Sequence, residues 1–213
     1  MQFKLFSGLL VLALLLSFGC NTPSNGSTEE PTDAAPADSG SMGNGAATSE
    51  GNDQYSVTTL DTTIKSPRKE LTGTVDGVNV TINYGSPAVN ERTIYGDLVP
   101  YGQVWRTGAN EATRITFAQD VMIGEEQSMV PAGTYSLFTL PAERNDWTII
   151  LNKTADQWGA YDYAEDDDLV RVKCMAEDAS SPRERMDFAL DGDNIEMMWS
   201  DLVVSFPVSA AAR

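Results

Sequence analysis

The amino-acid sequence predicts an all-β fold, an antiparallel β-sandwich or jelly-roll-like barrel of about nine strands with little helix. Two observations carry that expectation. From about Tyr55 onward, short runs of β-branched and aromatic residues recur roughly every ten positions between turn signals. Between them there is no helical period of about 10 to 15 residues, which a parallel α/β layout would need.

In order along the chain, Val78, Val80, Ile82 and Tyr84 alternate with Asn79, Thr81 and Asn83, as in a half-buried strand entered through the turn Val75-Asp76-Gly77. Residues 114–117 and 121–123 flank Gln119-Asp120 and read as an edge hairpin. Residues 133–140 and 147–152 are two further strands, joined by a polar loop. Residues 169–175, 186–190, 195–199 and 202–208 complete the set, with Asp191-Gly192-Asp193-Asn194 as a tight turn. Residues 93–99 and 154–158 are each expected to supply a turn or two of helix, and no internal repeat is present.

Ahead of this domain stands an export leader. Lys4 supplies an early positive charge, residues 5–16 are apolar, and Ser17-Phe18-Gly19 leads to Cys20. That order is the pattern of a lipoprotein signal at residues 1–19, in which Cys20 becomes the lipidated first residue after cleavage. The apolar run falls short of the roughly 20 residues that a membrane-spanning helix requires. Residues 20–54 then form an acidic tether: from Asn21 to Asp53 there is no aromatic residue, Lys or Arg to support a core. A flexible coil of that length reaches roughly 30 Å. Residues 55–213 are left as one β domain, expected to sit lipid-anchored at the periplasmic face of the outer membrane.

Composition excludes several functions. The formal charge is −17, from 31 acidic and 14 basic residues, and such a field repels nucleic acid. Histidine is absent, so neither the usual metal ligand nor the usual neutral-pH base is available. With Cys20 lipidated, Cys174 has no partner for a disulfide and reads as a small core residue within a strand. Asp exceeds Glu and Arg exceeds Lys, a bias shared by salt-adapted and ordinary acidic exported proteins.

One stretch is specific enough to compare with known proteins. It comprises Ile94-Tyr95-Gly96-Asp97-Leu98-Val99-Pro100-Tyr101-Gly102 followed by Trp105-Arg106-Thr107-Gly108-Ala109-Asn110-Glu111-Ala112-Thr113. Together with Tyr84-Gly85-Ser86-Pro87, Arg92, the run Pro131 to Phe138, the run Trp147 to Lys153, and Trp158-Gly159-Ala160-Tyr161, it resembles a bacterial family of exported proteins built on a single domain of unknown function. The resemblance extends over residues 66–208. It implies no activity and no catalytic residues, and one departure is visible: Glu91 stands where family members often carry Gly before the arginine.

Within the Trp105 to Thr113 box, side chains able to satisfy irregular backbone mix with groups able to hold a ligand. In the structural reading, Arg106 pairs with Glu111 or another carboxylate and ties the loop down while Trp105 plugs the sandwich end. In the binding reading, Arg106, Asn110 and Glu111 line a pocket with Arg92 and Tyr101 nearby, and Arg106 grips a carboxylate or phosphate. Trp158 extends that set as an aromatic platform for a small molecule or glycan, with Tyr161 and Tyr163 close in sequence. Trp147 belongs to the core instead. The aspartate runs at 166–168 and 191–194 read as solvated turns, since neither has the ligand spacing of a calcium loop. No cofactor, metal or catalytic residue is expected. The function predicted is a binding or structural module of the envelope, and the alternative is a glycan or polymer hydrolase using paired carboxylates, of which Glu111 is the one nameable member.

Overall fold

The computed structural model describes residues 50–212. The leader, Cys20 and most of the tether lie outside the described residues. Eleven strands are present among those described, and no α-helix. They are β1 (Glu50–Gly51), β2 (Tyr55–Asp61), β3 (Arg68–Val75), β4 (Val78–Gly85), β5 (Thr113–Phe117), β6 (Val121–Ile123), β7 (Ser128–Val130), β8 (Gly133–Pro141), β9 (Asp146–Asn152), β10 (Asp168–Asp191) and β11 (Asn194–Ala210). All pairings are antiparallel, in the order β1-β2-β3-β4-β5-β8-β9-β10-β11-β6-β7.

The expected turn between β3 and β4 is there. Asp76 and Gly77 both take positive φ, at 44° and 75°, the twist that suits a two-residue hairpin loop. Val78, Val80, Ile82 and Tyr84 then face the core, as their alternation predicts.

The long hairpin β10–β11 folds the sheet back on itself. Its register shifts between Asp178 and Arg183 and again before Asp187, and Ser200 takes φ 53°. Those extra residues bend the ladder and reset the parity, so Ile195, Met197 and Trp199 point inward and so do Leu202, Val204 and Phe206. The outer half of the hairpin packs on β3 and on the end of β4: Leu190 lies against Gly73, and the Ser86 hydroxyl donates to the Met186 carbonyl at 2.7 Å. The far end of β11 returns to the turn, where the Val208 amide donates to the Asp193 carbonyl at 2.8 Å. The enclosed core holds Leu71, Ile115, Leu137, Trp147, Phe188 and Phe206, all essentially inaccessible.

β8 and β9 are buried on both faces. Leu137, Ile149 and Leu151 belong to the main core, whereas Phe138 and Ile150 form a smaller cluster with Ala112 on the outer side. Val104, Leu140, Ala160 and Tyr163 cover that cluster, so two loops, around 102–112 and 153–164, are clamped over one patch of sheet.

Several expectations are corrected. The strands at 169–175 and 186–190 are two halves of β10, and those at 195–199 and 202–208 are halves of β11. β2 and β3 go unrecognised in the sequence because Val57 alone is buried in the first and only Leu71 and Val75 in the second. β5 and β6 are not a hairpin: β5 pairs with β4 and β8, while β6 pairs with β11 and β7. Asp120 accepts the Ala132 amide at 2.8 Å between them, and the chain leaves for the other edge of the sheet. Residues 93–99 and 154–158 are not helical; among the described residues a single 3-10 turn occurs, at Glu165–Asp167. Asp168 is not a solvated turn residue either. Its side chain is 8% exposed and accepts from Tyr163, Asn152 and Arg171 at 2.6, 2.9 and 2.7 Å.

Candidate functional site

The box docks where β8 outruns its neighbour. β5 begins opposite Leu137, so Thr139 has a free ladder edge, and Trp105 takes it with paired backbone bonds of 2.8 and 2.9 Å. The Trp105 indole stacks on Trp199, with ring centres 5.8 Å apart and planes 18° from parallel. Tyr95 meets Trp199 and Trp147 edge-on and donates its hydroxyl to the Trp199 carbonyl at 2.9 Å. Trp105 therefore plugs the end of the core, as the structural reading expects.

Three polar residues beyond it, Thr107, Asn110 and Thr113, are engaged within the protein. Thr107 and Asn110 take left-handed φ of 52° and 65°. Strain of that kind persists where surrounding bonds enforce it. The buried Thr113 hydroxyl donates to the Thr107 carbonyl at 2.6 Å, Thr107 meets the Thr139 hydroxyl at 3.2 Å, and the Asn110 amide donates to the Ser66 carbonyl at 3.4 Å. Gly85 is required opposite, since a Cβ there would sit 2.2 Å from the Ala109 carbonyl oxygen.

Arg106 does not follow the expected pairing. Glu111 is bound by Arg68, Nη1 to Oε2 at 2.8 Å, from the start of β3. Nothing local in the sequence signals that contact, because the partners come from different strands and loops. Arg106 makes no ion pair or hydrogen bond among the described residues, and its Nε is buried without an acceptor. The other half-buried cations among those residues, Arg68, Lys69, Arg114 and Arg144, each hold a carboxylate. Burial lowers the Arg106 pKa, and Tyr161 acts in the opposite direction. A guanidinium remains cationic under such a shift.

What flanks Arg106 is aromatic. Glu111 bridges to Trp158, and the Ala112 amide donates to the Gln157 carbonyl at 3.0 Å, which lays the second loop beside the box. Gly159, at φ 69°, passes between the Arg106 stem and Tyr161; a Cβ there would lie 3.9 Å from Arg106 Cδ and 3.2 Å from the Tyr161 ring. Trp158 is 59% exposed and Tyr161 85%, and neither ring stacks on another. A buried polar network holds this loop. Gln157 donates to Asn152 at 3.0 Å, Asn152 to Asp168, and Tyr163, whose pKa is raised to about 12 chiefly by burial, to the same aspartate. Gln157 Oε1 is itself buried with no partner.

The structure thus brings Arg106 beside Tyr161 across Gly159, with Trp158 next in the same loop and Glu111 close by but bonded to Arg68. Arg92 and Tyr101 are engaged locally. Arg92 donates to the carbonyls of Ala88 and Val89, at 2.6 and 3.0 Å, and Tyr101 covers Gly96. Asn110 is turned to Ser66.

A groove of about 550 Å³ lies away from this cluster. Glu125, Glu126, Glu177 and Glu196 line it together with the Lys173–Asp146 pair. Burial and the carboxylates of Asp191 and Glu177 raise the Glu196 pKa. Cys174 lines it as well, 8% exposed and pushed up to about 12 by burial, as befits an inert packing thiol. No residue singled out as a ligand contact in the sequence reaches that groove.

No match was found among curated proteins or among solved structures. A family model does match, over residues 66–208, which takes in everything from the segment before β3 to the second half of β11. The chain therefore belongs to the family described as protein of unknown function (DUF2911).

Proposed function

We propose that this chain is an envelope lipoprotein, cut before Cys20 and held by lipid on that residue, whose β domain binds a small anion at Arg106. The leader pattern and the acidic tether support the anchoring, with the periplasmic face of the outer membrane as the expected site. The observation that carries the binding reading is the side chain of Arg106, half-buried and without an acceptor among the described residues of a chain this acidic. A carboxylate would complete it through charge-assisted bonds.

One set of contacts favours a purely structural module: Trp105, Thr107, Asn110 and Thr113 are all engaged internally. The hydrolytic alternative has no such support, because Glu111 is already paired with Arg68. Titrating the full-length chain in detergent with acetate and with phosphate, followed by backbone NMR, separates the two. Saturable shifts at Arg106 and Gly159 that vanish in Arg106→Gln are expected. Their absence would leave the structural module standing.

A further inference from the structure

We infer that the anion is the carboxylate of an acidic sugar, a uronic-acid-type residue whose ring lies against Trp158 while its carboxylate reaches Arg106. This rests on the anion-binding reading and adds the ligand class. A bare anion needs only the guanidinium, and it leaves the neighbouring rings unexplained. Trp158 and Tyr161 are large aromatics presented to solvent within four residues of one another, at 59% and 85% exposure. Scattered exposed apolar groups are ordinary, but here one ring lies beside an unpaired cation and a second stands three residues away in the same loop.

The loop that carries them is braced. Asp168, Asn152, Gln157 and Tyr163 form a connected, mostly buried network beneath it, and Arg114 holds Asp156 at 2.8 Å just ahead of Trp158. A loop backbone fixed in this way presents the two rings with less entropy to lose on binding than a mobile loop would.

The openness of the platform selects the ligand. Compact aromatic acids bind in clefts that bury most of their surface. Here the ring faces are open, which suits a ligand that stacks one apolar C–H face and keeps its hydroxyls wet, as a saccharide does. Charge narrows the choice further. At −17 the molecule repels dense polyanions, and a phosphodiester or sulfated chain meets that field at every unit. A short oligosaccharide with a single carboxylate per ring carries few charges in all and meets less of that repulsion.

The test titrates the full-length chain in detergent with tetragalacturonate, with its carboxyl-reduced neutral counterpart, and with acetate, using tryptophan fluorescence and calorimetry. Tetragalacturonate is expected to bind at least tenfold more tightly than either comparison. Trp158→Ala and Arg106→Gln should each weaken it tenfold or more, and Trp158→Phe should restore part of the loss. Both sites are outside the core, and an unchanged melt for each variant will show that folding is intact. If acetate binds as well as tetragalacturonate and Trp158→Ala has no effect, the sugar inference falls while the anion site survives. If the neutral tetrasaccharide binds equally and Arg106→Gln is silent, the acidic-sugar inference falls together with the anion reading. If none of the three ligands binds, both are overturned.

Discussion

Two loops of this protein each carry an arginine beside left-handed, non-glycine backbone, and they use it in opposite ways. In the first, Asn90 and Glu91 take φ of 48° and 58°, and Arg92 folds back to donate to the carbonyls of Ala88 and Val89. In the second, Thr107 and Asn110 take φ of 52° and 65°, threonine and asparagine side chains satisfy the backbone, and Arg106 is left over. The same residue type is a structural clamp where the loop has few other donors and a free group where hydroxyls and an amide already do that work. Unpaired, in a chain so acidic, it is the part of the box that stability does not explain.

Removing the clamp should have the largest effect. Arg92→Ala takes two charge-assisted bonds from the Ala88 and Val89 carbonyls, one of them partly buried. Bonds of this kind are worth about 1 to 2 kcal/mol in such a setting. Urea unfolding should show a loss of that size, with anion binding at Arg106 unchanged. A silent variant would mean that both arginines are equally dispensable to the fold and would erase the contrast.

The strain in the first loop gives the next effect, with the opposite sign. Glu91 sits at φ 58°, which a side chain disfavours by about 1 to 2 kcal/mol, and the added freedom of glycine in the unfolded chain returns about 0.4 to 1 kcal/mol of that. Glu91→Gly is therefore expected to stabilise by about 1 kcal/mol in the same unfolding assay. A loss would show that the Glu91 side chain contributes more than its backbone costs.

That position also shows what was legible in the sequence. Glu91, where the family the chain resembles often has Gly, puts the local turn in question; the fold keeps the left-handed turn with glutamate in it, and that backbone is the physical reason glycine suits the position. Alternation disclosed β4 because one face is buried throughout, and it missed β2 and β3 because each buries too few residues to leave a period. The two halves of β10 and of β11 looked like four strands. A bend built from register shifts leaves the hydrophobic pattern interrupted while the ladder continues. Of the site, Trp105, Arg106 and Trp158 were visible as unusual residues, but the pairing of Glu111 with Arg68 was not, since only the folded sheet brings β3 to the end of the box. The sequence likewise groups Arg92 and Tyr101 with Arg106, but the contacts these two make are local, Arg92 with Ala88 and Val89 and Tyr101 with Gly96.

The smallest expected effect is the most discriminating. A pairing of Arg106 with Glu111 would make its loss cost about 1 to 3 kcal/mol, as for any group that leaves a buried partner unmet. Among the described residues it has no partner to leave unmet, and its Nε is a buried donor without an acceptor, which itself disfavours the folded state. Arg106→Met keeps the stem that packs by Gly159 and removes the donors. Stability in urea should stay within about 0.5 kcal/mol of the parent, on the stabilising side if it moves. A loss above about 1 kcal/mol would show that the guanidinium works like that of Arg92, and the reason for assigning it a ligand would be gone.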